Sequence, residues 1–314
     1  MVAYLAKRLT GGALTLFFVT GLAFFATALA PGNPATVLLG TMASPERVAA
    51  VTEELGLDRP LPTRYGIWLG ETVKGNLGAS NLSHQPVTKL LGEALPVTLE
   101  LTAFSLFLSV LVAVPAGLVL AQASRAWWSK PAMAAITLGI SVPGFWVGLI
   151  LIVLFAVTWR VLPSGGYVRF SKSPTGNLSH LVLPTLSLAI YLAPALVRFV
   201  RATAQSVLKE DYIDTARSKG VSNARILFRH VAPNTWVNTM TFVGLQLGVL
   251  ISGAIVIETI FALPGLGRLG LSAVLNRDYP VVQGVVLVAA TGYVAVNFLI
   301  DLAYGLIDPR VRTR

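Results

Sequence analysis

Three polar side chains stand inside stretches that are otherwise apolar: Gln246, Glu258 and Asn297. A carboxylate at the middle of a membrane-crossing helix costs about 2.5–3.5 kcal/mol, so an acid in such a stretch marks a pathway or an ion pair. Glu258 falls near one end of its stretch, where headgroups and water are close. A structural or gating role at the mouth of a pathway suits it better than substrate binding. Gln246 and Asn297 lie deeper and carry no charge. They suit the lining of a translocation path and, equally, a hydrogen bond between helices worth about 0.6 kcal/mol. Glu100 opens another apolar stretch and reads either way, while Asp301 lies where a short reach returns it to the interface.

Most other chemistry is excluded. There is no cysteine, hence no thiolate ligand, thiol nucleophile or disulfide framework. The three histidines, His84, His180 and His230, are far apart and form no HExxH pair, so no metal site is expected. No GxxxxGK[ST] loop is present to cradle nucleotide phosphates, and no GxSxG places a nucleophilic serine. No catalytic residue is assigned, and the chain is not read as an enzyme.

One further segment is rich in functional groups, "DYIDTARSKGVSNARILFRHVAPN" at 211–234. Its first half favours a helix closed by Gly220, a residue suited to the left-handed conformation. Ser222 or Asn223 can then cap a second short helix that Pro233 ends. Ala224, Leu227, Phe228 and Val231 recur at spacings that share one face, with Arg225 and Arg229 on another. A basic amphipathic pair fits a groove on a partner. On composition alone it fits a layer of anionic headgroups as well.

The elements around these residues are membrane helices. The 314 residues are 54% hydrophobic and only 12% charged, with a mean hydropathy of +0.72. Soluble domains carry about 25% charged residues. Six spans are predicted at 9–30, 95–121, 132–158, 181–200, 239–262 and 281–307, each able to cross about 30 Å of hydrocarbon. The first has too long an apolar core for a cleaved leader and reads as a retained anchor. Of the 24 Lys and Arg residues, fourteen fall on the side of the N-terminus, five in the short loops opposite and five in 31–94. Both termini are therefore expected in the cytoplasm. The net charge of +10 is explained by this bias rather than by nucleic acid. The segment 31–94 reads as a small external cap, with a helix that Ser44 caps and Pro45 opens. "GFWVG" (144–148) and "GLQLG" (244–248) suit close helix contact.

The island resembles the cytoplasmic EAA loop of ABC-importer permeases. "DTARSKG" followed by "RILFRHVAPN" places Asp214, Thr215, Ala216 and Gly220 on the first half of that motif and Pro233 near its end. Thr215 and Ala232 depart mildly from it. "LGLDRPLPTRYGIWLG" (55–70), "GNLGAS" (75–80), "IETIFALPGLGRLG" (257–270), "NRDYPVVQG" (276–284) and "DLAYGLIDPRVR" (301–312) resemble the first permease subunit of the dipeptide, oligopeptide and nickel branch. The resemblance runs nearly end to end.

It implies an all-α integral membrane protein with the type I importer permease fold. An anchor (1–30) and an extracytoplasmic segment (31–94) precede a five-helix core (95–307), whose coupling loop spans 201–238, and a cytoplasmic tail (308–314). It implies half of a peptide translocation pathway in the bacterial inner membrane. The implied partners are a second homologous permease, two ATPase subunits and an extracytoplasmic binding protein, with ATP and Mg held by the ATPases and no cofactor here. The coupling surface would comprise Asp214, Thr215, Ala216, Gly220, Ala224, Leu227, Phe228 and Pro233. The turn-rich "LPGLGRLG" would face the binding protein. A nickel-chelate or glutathione importer shares these signatures. A stand-alone secondary transporter or channel would instead show paired intramembrane acids or broken helices.

Overall fold

The structure, a computed structural model, describes residues 2–30, 36, 39, 44–54 and 56–307. The described residues are helical throughout, apart from turns and one isolated bridge between Ala79 and Pro86. Twelve helices follow one another among them: α1 (Val2–Ala28), α2 (Pro45–Glu54), α3 (Leu61–Val73), α4 (Val87–Gln122), α5 (Ser129–Ile140), α6 (Gly144–Leu151), α7 (Pro174–Val207), α8 (Asp211–Ser218), α9 (Asn223–Ile226), α10 (Ala232–Ile260), α11 (Leu266–Leu275) and α12 (Tyr279–Ile307). Wide π-type turns, Ile152–Thr158 and Leu227–Val231, extend α6 and α9.

Four helices, α1, α4, α7 and α12, are each long and apolar enough to cross a membrane. Two bent pairs, α5 with α6 and the stretch from α9 through α10 to Ile251 with its continuation Gly253–Ile260, raise the total to as many as six. The third expected span is therefore not straight: its halves meet at 96°. Pro143 is the cause. It sits extended at φ −64°, ψ 134°, and a proline both lacks the N–H and crowds the carbonyl four residues back. The second span begins at Val87, so the expected boundary at 94 falls inside α4. In α7, Pro184 and Pro194 are carried within one continuous helix.

Ser44 accepts the amide of Arg47 at 3.4 Å, with Pro45 in the first turn, as the sequence predicts for that helix. Ser173 caps α7 in the same way, accepting from Gly176 at 3.1 Å. The remainder of the expected 31–43 segment, the tail at 308–314 and the side chain of Asp301 lie outside the described residues.

The chain divides into two compact units: residues 1–97 with 264–298, and residues 98–263 with 299–314. In the first, Val87, Leu91 and Ala94 of α4 pack with Leu266, Ala273 and Val281. Phe24, Tyr65 and Trp68 bring α3 against the end of α1, with ring centroids 5.4–6.1 Å apart. Asp278, nearly fully buried, accepts from Ser80 Oγ at 2.5 Å and from the Asn81 amide at 3.0 Å. In the second unit α7 packs against α4, α5, α6 and α10. A Cβ on Gly117 would stand 2.7 Å from Val200, and one on Gly148 would stand 3.2 Å from Phe261 and 3.3 Å from Ser187. Gly244 meets Ile300 similarly closely. Gly148 of the first pair and Gly244 of the second thus supply close helix contacts of the kind their spacing predicts. The buried hydroxyls of Ser105, Ser109 and Ser187 are satisfied locally, each donating to the carbonyl four residues back at 2.7 Å.

Candidate functional site

The polar island folds into two short helices whose inner sides belong to the core of the second unit. Ile213 and Ala216 of α8, with Ile226, Leu227 and Val231, pack with Leu120 and Ala121 of α4 and Leu196, Val197 and Val200 of α7. The turn between them is closed as the sequence predicts. Gly220 is left-handed (φ 75°), its amide donates to Arg217 O at 2.9 Å, and Val221 N donates to Ala216 O at 3.1 Å. That pair of bonds is the Schellman closure, and Val221 adds the apolar contact that accompanies it. Ser222 occupies the cap position of α9 without a side-chain cap bond.

Two expectations are corrected here. Ala224, Leu227, Phe228 and Val231 do not share one buried face. Leu227 and Val231 turn inward with Ile226, whereas Ala224 is exposed and Phe228 is 68% exposed. Burial is centred one residue-step away from the expected stripe because Ile226, not Phe228, fills the space against α4 and α7. Pro233 does not end a helix either. It lies in the first turn of α10, and the π-type turn at Leu227–Val231 leads into it. A wider turn relieves the clash of a proline ring with the carbonyl behind it, so the chain stays helical from Asn223 into α10.

The outer side of the pair carries Asp214, Thr215, Arg217, Arg225, Phe228 and Arg229, all exposed. Arg217 bridges Asp214 at 3.0 Å, an exposed pair of small energetic weight. Tyr212 Oη accepts from Asn234 at 3.3 Å. Burial, and then Glu210, push that phenol above its ordinary range.

Glu258 is fully buried, not within reach of an interface. Thr98 Oγ1 donates to its Oε1 at 2.5 Å. Its own carbonyl takes the Leu263 amide at 2.8 Å in a second Schellman closure, built on Ala262 at φ 52°. Beside it Gly166 N donates to Phe261 O at 2.8 Å, and a Cβ on Gly165 would lie 2.5 Å from that oxygen. The loop between α6 and α7 is thereby fastened to the end of α10. Gln246 is half-buried twelve residues earlier, roughly 18 Å along α10. Asn297 donates to Tyr293 O of its own helix at 2.9 Å, a back-bond rather than the bond between helices that was one of its two expected roles. It belongs to the first unit, and the three residues do not form one cluster within either unit.

Sequence reasoning missed one site. Glu100 accepts from Tyr167 Oη and from the fully buried Asn177, each at 2.9 Å, and Asn177 also donates to Val168 O at 2.8 Å. Desolvation, then the bond to Glu100, push the Tyr167 phenol up to about 12. Only the acid at the start of a span pointed to it, because its partners lie 67 and 77 residues away. Among the described residues no group of His, Cys, Asp or Glu could hold a metal ion.

Compared with known proteins, residues 113–313 match the family described as binding-protein-dependent transport system inner membrane component, and residues 1–102 match its N-terminal counterpart. A Brucella abortus (strain 2308) protein named as a peptide transport system permease is 42% identical over 99% of both chains. A Sinorhizobium fredii protein named as a peptide ABC transporter permease is 38% identical, covering 99% of this chain and all of its own. The glutathione transport system permease protein GsiC of Escherichia coli (strain K12) is 36% identical over 99% of both.

Proposed function

Because the chain belongs to the family of binding-protein-dependent transport system inner membrane components, we propose that its two-sided helix pair, α8 and α9, receives the motion of a separate ATPase. The chain is an ABC-importer permease of the peptide and glutathione type, a multi-pass membrane protein and a transporter component rather than an enzyme. Family membership sets aside the stand-alone carrier, even though one span is broken.

The observation that carries the coupling role is the division of the pair. Its inner side is part of the hydrophobic core with α4 and α7, and its outer side presents Phe228 among charged residues. A bulky exposed phenylalanine about one turn beyond the exposed Ala224 suits an apolar socket on a partner. Because α9 runs through a π-type turn into α10, a push on Phe228 is delivered to a membrane helix as a rigid-body tilt. Asp214, Thr215, Ala224 and Phe228 form the contact. Ala216, Leu227, Gly220 and Pro233 hold its shape.

The chain then supplies half of the pathway, opposite a second homologous permease, above two ATPases that hold ATP and Mg, and below an extracytoplasmic binding protein that delivers cargo. Both termini lie in the cytoplasm. Peptides are the proposed cargo, in keeping with the names of the more similar relatives. Glutathione, itself a short peptide, is the second reading, supported by the 36% identical relative. Glu258 anchors the end of α10 as part of a gate; Gln246 in the second unit and Asn297 in the first are each candidates for path lining.

The test is disulfide or bifunctional crosslinking in the assembled complex. Phe228→Cys should capture an ATPase subunit, while the inward Leu227→Cys should not. Capture of lipid photoprobes alone by Phe228→Cys would assign the outer face to the membrane surface instead.

A further inference from the structure

Within the first unit lies a half-open cleft of about 780 Å³, inside the range of pockets that hold small ligands. One wall is aromatic. Phe24 of α1 and Trp68 of α3 line it, their rings 5.7 Å apart, and Tyr65 stacks behind Trp68 at 6.1 Å. The rest of the lining includes two guanidiniums, Arg59 and Arg64, and two carboxylates, Glu54 and Glu71. Among the described residues neither arginine forms an ion pair with either acid. Arg64 is held by a 3.4 Å bond to Leu57 O. Glu71 accepts from Lys74 at 2.9 Å and Asn76 at 3.1 Å, and these bonds keep its carboxyl below the usual range. The floor is fastened by Gln283 Nε2, which donates to Thr27 Oγ1 at 2.7 Å, and by the bond of Asn81 to Asp278. The cleft is therefore formed before any ligand arrives, which lowers the cost of ordering it.

The balance of charge selects the ligand. A bare anion gains from the arginines and is repelled by the acids, and a bare cation meets the reverse. With Glu71 already paired to Lys74, a molecule carrying both an anionic and an ammonium group satisfies the two guanidiniums and Glu54 together, and charge-assisted bonds to guanidinium are the stronger kind. We propose that this cleft binds a small zwitterion with an apolar flank: its anionic end at Arg59 and Arg64, its ammonium at Glu54, and its apolar part on Phe24 and Trp68. Two sources share that chemistry. One is a short peptide with free termini. The other is an ethanolamine phospholipid headgroup, available because Phe24 of the aromatic wall lies in the last turns of α1, a membrane-length helix.

The experiment titrates the purified full-length chain in neutral detergent by calorimetry. The probes are alanylleucine, its N-acetyl and C-amide forms, and short-chain phosphatidylethanolamine and phosphatidylglycerol. Binding of alanylleucine, weakened at least tenfold by either block, supports the site with a solute as occupant. Binding of phosphatidylethanolamine at least tenfold tighter than phosphatidylglycerol supports it with a lipid headgroup. The double variant Arg59→Gln, Arg64→Gln should lower either affinity at least tenfold, whereas Arg169→Gln, outside the cleft, should not. Glu54→Gln, at an exposed position that folding tolerates, should weaken the zwitterion severalfold and leave the N-acetyl peptide unaffected. The proposal is overturned if no probe binds, if blocked and free forms bind alike, or if the arginine pair is dispensable. Uptake by the assembled transporter is measured separately, so a silent cleft leaves the coupling role untouched.

Discussion

Thr98 Oγ1 donates a 2.5 Å hydrogen bond to Oε1 of Glu258, across 160 residues of sequence and out of contact with solvent. A buried carboxyl depends on its donors, and losing one costs about 1–3 kcal/mol. Thr98→Val keeps the shape and removes the donor, so it should lower the thermal midpoint in detergent by several degrees, while Thr98→Ser should lower it less. Equal midpoints for the wild type and the valine variant would make the bond incidental.

Gly165 passes so close to Phe261 that a Cβ would lie 2.5 Å from its carbonyl oxygen and 3.0 Å from its carbonyl carbon. Backbone cannot yield as a flexible side chain does. Gly165→Ala should detach the loop from the end of α10, at a cost of about 1–3 kcal/mol typical of overpacking. The neighbouring Gly166→Ala has open space, with His180 at 3.8 Å, and adds only the strain of φ 87°. Proteolysis of the α6–α7 loop should accelerate more for the first variant than for the second, and the reverse order would contradict the geometry.

Gly220 sits at φ 75° with no atom near its missing Cβ, so conformation rather than space demands glycine. Gly220→Val should reopen the Schellman closure and misplace α9 against α8. In the assembled transporter, ATP hydrolysis should persist while uptake falls at least tenfold. Normal uptake per ATP with this variant would remove the coupling role from the loop.

Tyr167 titrates at about 12, raised first by desolvation and then by its bond to Glu100. Its ordinary value, and hence that of the unfolded chain, is 10. Between these values the unfolded chain holds fewer protons, so stability falls as pH rises. The contribution is complete below pH 10 and gone once the pH passes about 12. Absorbance near 295 nm should show a late tyrosinate step that Tyr167→Phe abolishes. A variant titration identical to that of the wild type would show that Tyr167 ionises with the other tyrosines.

Hydropathy and basic-residue bias alone identified a multi-spanning helical protein. Local chemistry also sufficed for the Gly220 closure and the Ser44 cap, because such signals act within a few residues. Burial on α9 was decided by packing: Phe228 and Leu227 look alike in sequence, and only the fit against α4 and α7 sends one outward and the other in. The right-angle break at Pro143 and the passage of helix through Pro184, Pro194 and Pro233 show the same limit, since a proline's neighbours decide whether its missing bond is tolerated. Glu258 was legible as an exceptional acid, but its burial and its bond to Thr98 were not. Partners 160 residues apart leave no periodic trace. Tertiary structure alone brings them together, because desolvating a carboxyl is tolerable only where a distant helix supplies the donor.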